Sequence, residues 1–298
     1  MYALAIKSRV MAPDCRILGR TLPVCYLASG QEAEVLAFLA KRPIHTVILA
    51  GLIRDNGLVS PLNRGTFYAC RAVGGRLDGV ALIGHVTMIE TQSSAALECF
   101  AQIAQRHQPA HVILGEQEKV RRFWEFYSPY GQSPRLRCRE LLFEQRQPLE
   151  GQEPVNLRRA TFEDMEIIVP VHAQMAFDEC GINPLNRDPE GFRLRVAHRI
   201  GRGRIWVWID NEKLIFKADV QSQTPEQMYL EGVYTSPDER GKGYGFRCIS
   251  QLGRTLLKNA RSLSVLVNEK NRAGQLFYHK AGYKIRGYYD TIYLQTQN

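Results

Sequence analysis

The chain has 298 residues, long for one domain and comfortable for two, and its 45% hydrophobic and 23% charged composition excludes an intrinsically disordered chain. The formal net charge of +9 is spread evenly, 18 Lys+Arg against 13 Asp+Glu in residues 1–150 and 21 against 17 in 151–298, so neither a basic tail nor nucleic-acid binding is expected. No apolar run approaches the ~20 residues of a membrane span, Asp14 and four basic residues interrupt any signal core before Leu27, and seven isolated cysteines without a Cys-x-x-Cys pair suit a cytoplasmic protein.

In chain order, Val24 to Ala28 reads as a strand and Gln31 to Lys41 as a helix, and Thr46 to Leu52 is a buried apolar segment. Three β-like pieces follow, Gly65 to Ala72, Arg76 to Gly84 and His85 to Ile89, the second opened by the Gly74-Gly75 turn. Ser94 to His107 reads as a helix, His111 to Gly115 as a strand, Glu116 to Tyr127 as a helix and Arg137 to Glu144 as a final strand. His107 and His111 have Pro109 between them, which spoils a helical ligand pair, and no metal is expected. A polar, proline-flanked linker, Gln147 to Pro154, divides the chain into 1–148 and 154–298.

The second half repeats the order. Val155 to Arg159 reads as a strand, and Thr161 with Asp164 forms an approximate capping box for a helix through Ile167, Ile168, Val171 and Met175 that Pro170 should kink or split. A loop over Asp178 to Pro189 and a helix around Phe192, Val196 and Ile200 lead to a hairpin, Arg204 to Ile209 and Lys213 to Val220, turning over Asp210-Asn211-Glu212. Met228 to Tyr234 follows as a strand with Tyr229, Glu231 and Val233 on one face, and Pro237 stops it. Gly241, Gly243 and Gly245 stand at alternate positions before a helix with Phe246, Ile249, Leu252 and Leu256 on one stripe. A strand, a glycine-rich turn and a helix N-terminus make a phosphate site, with Arg240 and Lys242 adding positive charge at its rim. The dinucleotide and nucleoside-triphosphate spacings both fail. Ser262 to Asn268 is a strand, and Asn271 to Tyr283 a helix with Ala273, Leu276, Phe277 and Ala281 near one face and Gly282 at a left-handed cap.

Pro237-x-x-Arg-Gly-x-Gly-x-Gly245 resembles the acyl-CoA pyrophosphate loop of the GNAT acetyltransferase superfamily, and Val267-Asn268 with Asn271, Tyr278 and Gly282-Tyr283 resembles its second signature. The resemblance covers about residues 154–296. It implies an α/β fold with a mixed, mostly antiparallel twisted sheet flanked by helices, acetyl-CoA as co-substrate, and direct acyl transfer to a primary amine, borne by a small molecule or a protein. It further implies that Val233, Tyr234, Thr235, Arg240, Gly241, Lys242, Gly243, Tyr244, Gly245, Asn268 and Asn271 bind the cofactor, and that Tyr278 stands near the CoA sulfur. Asn271 would equally serve as a helix cap. Glu231, mid-strand, is the candidate base or ammonium anchor, with an outward solvated carboxylate as the alternative. Asp178 and Glu179 stand beside the acceptor loop and could hold a cationic substrate.

Val112 to Trp124 lines up with Val265 to Phe277 at a shift of 153 residues, an internal repeat that argues for duplication. The first copy lacks the glycine loop, reading Ile89-Glu-Thr-Gln-Ser-Ser, and puts Glu125 opposite Tyr278. Residues 1–148 therefore read as a GNAT-like domain without cofactor chemistry, similar to the domain preceding the acetyltransferase domain in some bacterial tandem proteins. The alternative to an enzyme is a non-catalytic acyl-CoA-binding regulatory or interaction protein, and either leaves room for a homodimer.

Overall fold

The computed structural model describes residues 24–107 and 109–295; the signal-core reading of the first residues lies outside them. Ten elements run through the first half: β1 (Val24–Tyr26), α1 (Glu32–Leu39), α2 (Pro43–Asn56), β2 (Gly65–Arg71), β3 (Leu77–Gly84), β4 (Val86–Thr91), α3 (Ser94–Ala104), β5 (Val112–Glu116), α4 (Gln117–Tyr127) and β6 (Pro134–Gln145). The same sequence of types recurs in the second: β7 (Arg158–Arg159), α5 (Met165–Cys180), α6 (Pro189–Gly201), β8 (Ile205–Asp210), β9 (Lys213–Gln223), β10 (Gln227–Thr235), α7 (Tyr244–Leu256), β11 (Ser262–Asn268), α8 (Arg272–Lys280) and β12 (Lys284–Leu294).

All twelve strands form one sheet, ordered β1-β2-β3-β4-β5-β12-β6-β11-β10-β9-β8-β7. Exchanging each strand for its counterpart six places on reverses this order, so the sheet has a pseudo-two-fold axis between β12 and β6. The last strands of the halves are exchanged across that axis. β6 lies antiparallel between β11 and β12, and β12 between β5 and β6. The cores follow the exchange: Ile292 and Leu294 of β12 pack under α3 and α4, while Leu141 and Phe143 of β6 pack with α7 and α8. On the other face α1 and α2 cover one end of the sheet, and α5 and α6 the other. α2 also reaches across the halves, where Ser222 Oγ donates to the Val47 carbonyl at 2.7 Å and a Cβ on Gly51 would lie 1.7 Å from Ser222 Oγ.

Several expectations change at the local level. Thr46–Leu52 is the middle of α2, started by Pro43 at a position where its missing N–H costs nothing. Thr161 and Asp164 do form a capping box, but α5 passes through Pro170 as one helix. The proline is exposed and near the helix start. Asp178 and Glu179 belong to the last turn of α5, because the chain stays helical until Gly181 takes φ +73°. The β8–β9 hairpin turns on Asn211 and Glu212 alone, both at positive φ, the signature of a tight primed turn. Val155–Leu157 pairs with no strand, so β7 is only Arg158–Arg159. In α8 the buried residues are Gln275 and Tyr278, while Leu276 is 70% exposed. The cause is polar: the Gln275 amide donates to the Glu269 carbonyl at 2.8 Å, which turns that side of the helix inward.

Candidate active site

β10 and β11 pair in parallel only from Gln227/Ser262 to Leu230/Val265, and there their ladder ends. Just beyond, β10 bulges against β9 between Glu231 and Tyr234, with Gly232 at φ +60°. The expected alternation of side chains along Tyr229–Tyr234 fails at this bulge. Only glycine fits, because a Cβ would lie 2.8 Å from Lys217 Nζ and 3.2 Å from Asp219 Oδ2.

The bulge is held from beneath by charges that the sequence reading did not single out. Lys217 of β9 is 0% exposed; its ammonium donates to Asp219 Oδ1 at 2.8 Å and to the Gly232 carbonyl at 3.0 Å. Arg199 of α6 donates to Asp219 Oδ2 at 3.4 Å. His172 Nε2 of α5 lies 2.9 Å from the same oxygen but is not aligned for a hydrogen bond. Burial pushes the Lys217 and His172 pKa values down. Burial would raise Asp219, but Lys217 and His172 outweigh it and hold that carboxyl well below its usual range. In a trans peptide C=O and N–H point opposite ways, so the Lys217 bond to the Gly232 carbonyl turns the Val233 N–H away from the ammonium. A lysine and an aspartate two apart inside the apolar run Leu214–Val220 was the one signal available in the sequence.

Ahead of α7 the glycine turn faces open space. Gly243 is the N-cap at φ +82° with no side-chain cap, so among the described residues no side chain serves the first-turn N–H groups. Gly241 takes φ +79°, and a Cβ on either glycine would meet nothing within 4 Å. Gly245 differs: its Cβ would lie 2.5 Å from Thr235 Oγ1, so it lets the helix close onto β10. Arg240 Nε donates to the Thr235 carbonyl at 3.1 Å, and Lys242 pairs with Glu239 at 2.9 Å. Tyr244 sets its ring edge-on to Trp208, and Tyr234 packs into the α5–α6 cluster, which leaves its backbone for the crevice.

Across the gap, Asn268 Oδ1 accepts from Lys270 N–H at 2.9 Å, and Asn271 Oδ1 caps α8 by accepting from Gly274 N–H at 2.8 Å. The capping alternative for Asn271 is thus realised. Tyr278 is 6% exposed and sits among Phe143, Phe277 and Tyr283; burial holds its phenol above the ordinary range. Glu231 is half-buried and makes no hydrogen bond or ion pair among the described residues.

The matching place in the first half is filled. Arg42 pairs with Glu90 at 3.0 Å and Glu116 at 2.6 Å, and Lys119 with the same two carboxylates at 2.7 and 2.9 Å. The α3 N-terminus is capped by its own chain, Ser93 Oγ accepting from Ala96 N–H.

Residues 201–285 match the family described as an acetyltransferase (GNAT) domain. A search of curated protein sequences finds no significant relative. Among solved structures, a Drosophila protein superposes with TM-score 0.67 at 16% identity, covering 94% of this chain and 100% of its own. A tandem GNAT protein from the clavulanic acid biosynthesis pathway gives 0.58 at 14%, covering 93% and 100%. A GNAT-family acetyltransferase from Colwellia psychrerythraea gives 0.57 at 13%, covering 91% and 99%. At these identities the likeness is one of fold.

Proposed function

We propose that this chain, a tandem GNAT fold whose residues 201–285 match the acetyltransferase family, moves an acetyl group from acetyl-CoA to a primary amine in the crevice between β10 and β11. The observation that carries this reading is the contrast of two helix starts. α3 is capped by Ser93 and faces a closed salt-bridge cluster, whereas α7 begins at an uncapped glycine with open space before it. That opening fits a pyrophosphate, held by the first-turn N–H groups of α7 and by Arg240 and Lys242, with Asn268 and the Asn271 amide group toward the pantetheine arm. Bound there, the thioester supplies an activated acyl group.

The chain's own parts then act on protons and charge. The Val233 N–H is the donor for the negative charge that develops on the acyl oxygen, a role commonly worth ~3 kcal/mol of barrier. Glu231 takes a proton from the incoming ammonium, or anchors it. Tyr278 stays protonated at neutral pH and offers its hydroxyl hydrogen to the departing sulfur.

A thiol-release screen with acetyl-CoA against amines, amino acids and peptides tests the reading. Tyr278→Phe should lower turnover about 10²-fold with CoA affinity little changed. A protein that binds acetyl-CoA and acetylates nothing is a sensor instead, and full turnover in Tyr278→Phe across the pH range removes the proton-donor role.

A further inference from the structure

A helix of the first half borders the crevice of the second. His172 of α5 stands 2.9 Å from Asp219 of β9, and three residues further along the same strand Ser222 Oγ donates to the Val47 carbonyl of α2. The partners of these two positions on β10 are Glu231 and Tyr229, so α5 flanks the crevice on one side and α2 on the other. The hold on α2 extends along its length. At its start His45 Nδ1 lies 2.9 Å from Tyr289 Oη of β12, and near its end Asp55 pairs with Arg202 at 3.0 Å and Arg204 at 2.7 Å. These contacts also fix its rotation. Val47 and Gly51 meet Ser222, while Thr46, Ala50 and Arg54 line a depression with Thr224 and Glu226 at the β9–β10 turn. At about 100° per residue, Ile44 and Ile48 lie on the opposite side of the Val47–Gly51 line, toward Glu231 further along β10. Both isoleucines are half-buried.

The sheet beneath supplies a second apolar surface. Leu266 of β11 and Leu142 of β6 stand directly opposite each other. Their chain neighbours Val265, Val267, Leu141 and Phe143 pack into the core with α7 and α8, so alternation turns the two leucines to the other face. Neither leucine, nor Ile44, joins any of the four hydrophobic clusters among the described residues. Leu266 directly follows the last parallel pair, Leu230/Val265, and so faces Glu231 where the two strands part. Beside Leu142 on β12 stands Gly287, where a Cβ would meet nothing within 4 Å. The floor next to the carboxylate thus keeps apolar room that no side chain of the protein fills.

We propose that α2 is the second wall of the acceptor site, and that Ile44, Ile48, Leu142 and Leu266 hold an apolar body carried by the amine. The acceptor is then a primary amine on an alkyl chain or an aromatic ring, and Ile44 and Ile48 determine the specificity. The proposal rests on the acyl-transfer reading above. Glu231 meets the nitrogen, and the carbon skeleton lies between the two leucines and the two isoleucines. Each methylene taken out of water against such a surface is worth about fourfold in affinity. The first half, which has no glycine loop of its own, thereby acquires a task in the reaction: it selects the acceptor that the second half acetylates.

Calorimetry on the full chain loaded with CoA, comparing hexylamine with ethylamine, tests this. Hexylamine should bind at least about 10-fold more tightly. Ile44→Ser should remove about fivefold of that preference, and Ile44→Phe, which fills the space instead, should weaken hexylamine by a similar factor. In both variants the affinities for ethylamine and for CoA should stay as they are, and in turnover the KM for hexylamine should move while the KM for acetyl-CoA does not. Equal affinity for the two amines, no binding of hexylamine, or an unchanged preference in both variants overturns the wall. Ethylamine and CoA weakening as much as hexylamine would also overturn it, because the helix would then be structural only. The two readings fail separately. Hexylamine that binds with the stated preference and is never acetylated refutes acyl transfer and leaves the wall standing. Acetylation of both amines with equal KM refutes the wall and leaves acyl transfer standing.

Discussion

Lys217 shows how far a buried charge can act on chemistry it does not touch. With no exposed surface, it fixes the Gly232 carbonyl and thereby the direction of the Val233 N–H. Lys217→Met should lower kcat about 10²-fold, the low end for a misplaced oxyanion donor. It should also cost about 3 kcal/mol of stability by leaving Asp219 short of a partner. Adding Asp219→Asn removes the unpaired charge, so the double variant should melt near wild type yet stay slow. Recovery of both stability and kcat would make the lysine a stabiliser only. Residues of this kind were hard to read in the sequence. Tyr278 and the glycines stand at fixed spacings inside short motifs, whereas Lys217, His172 and Arg199 meet from β9, α5 and α6.

At the level of elements, α7 is the informative helix, because Gly243 at its N-cap and Gly245 in its first turn answer to different demands. Gly243 takes a left-handed conformation facing empty space, and Gly245 lies against Thr235. Gly243→Val should abolish CoA binding in calorimetry, with the strain at φ +82° lowering stability by about 1–2 kcal/mol. Gly245→Val should instead lose stability first, because its side chain would have to displace Thr235 from β10. The same order of loss in both variants would mean that the turn is only a cap. Helices and strands were legible here because β11 and α8 carry clean punctuation, with Asn271 before the helix and Gly282 after it. The β10 bulge was not, since a glycine inside an alternating strand marks such a site without saying which way the chain turns.

Across the whole molecule the exchanged strands decide what can be separated. Cutting the chain between 148 and 154 removes β6 from between β11 and β12, and takes Leu141 and Phe143 out of the second core. It equally removes Ile292 and Leu294 from the first core. Neither 1–148 nor 154–298 should then fold alone, and the two co-expressed should form a stable 1:1 complex by size exclusion, with circular dichroism of each separate piece lacking the cooperative melt. A well-folded, CoA-binding 154–298 would show that β6 is dispensable. The repeat at 153 residues announced two similar halves. It could not announce the exchange, because β6 and β12 would present the same alternating face in either core.

The exchange also sets a timetable for synthesis. β6 is complete at Gln145, yet β11 begins only at Ser262 and β12 at Lys284. At ~5–20 residues per second the ribosome needs on the order of ten seconds to deliver the first of those neighbours. For that interval Leu141, Leu142 and Phe143 are an apolar strand with both edges unpaired, and the first core lacks its closing strand. Nascent chains should thus expose to other hydrophobic surfaces a strand that finished molecules keep paired on both edges.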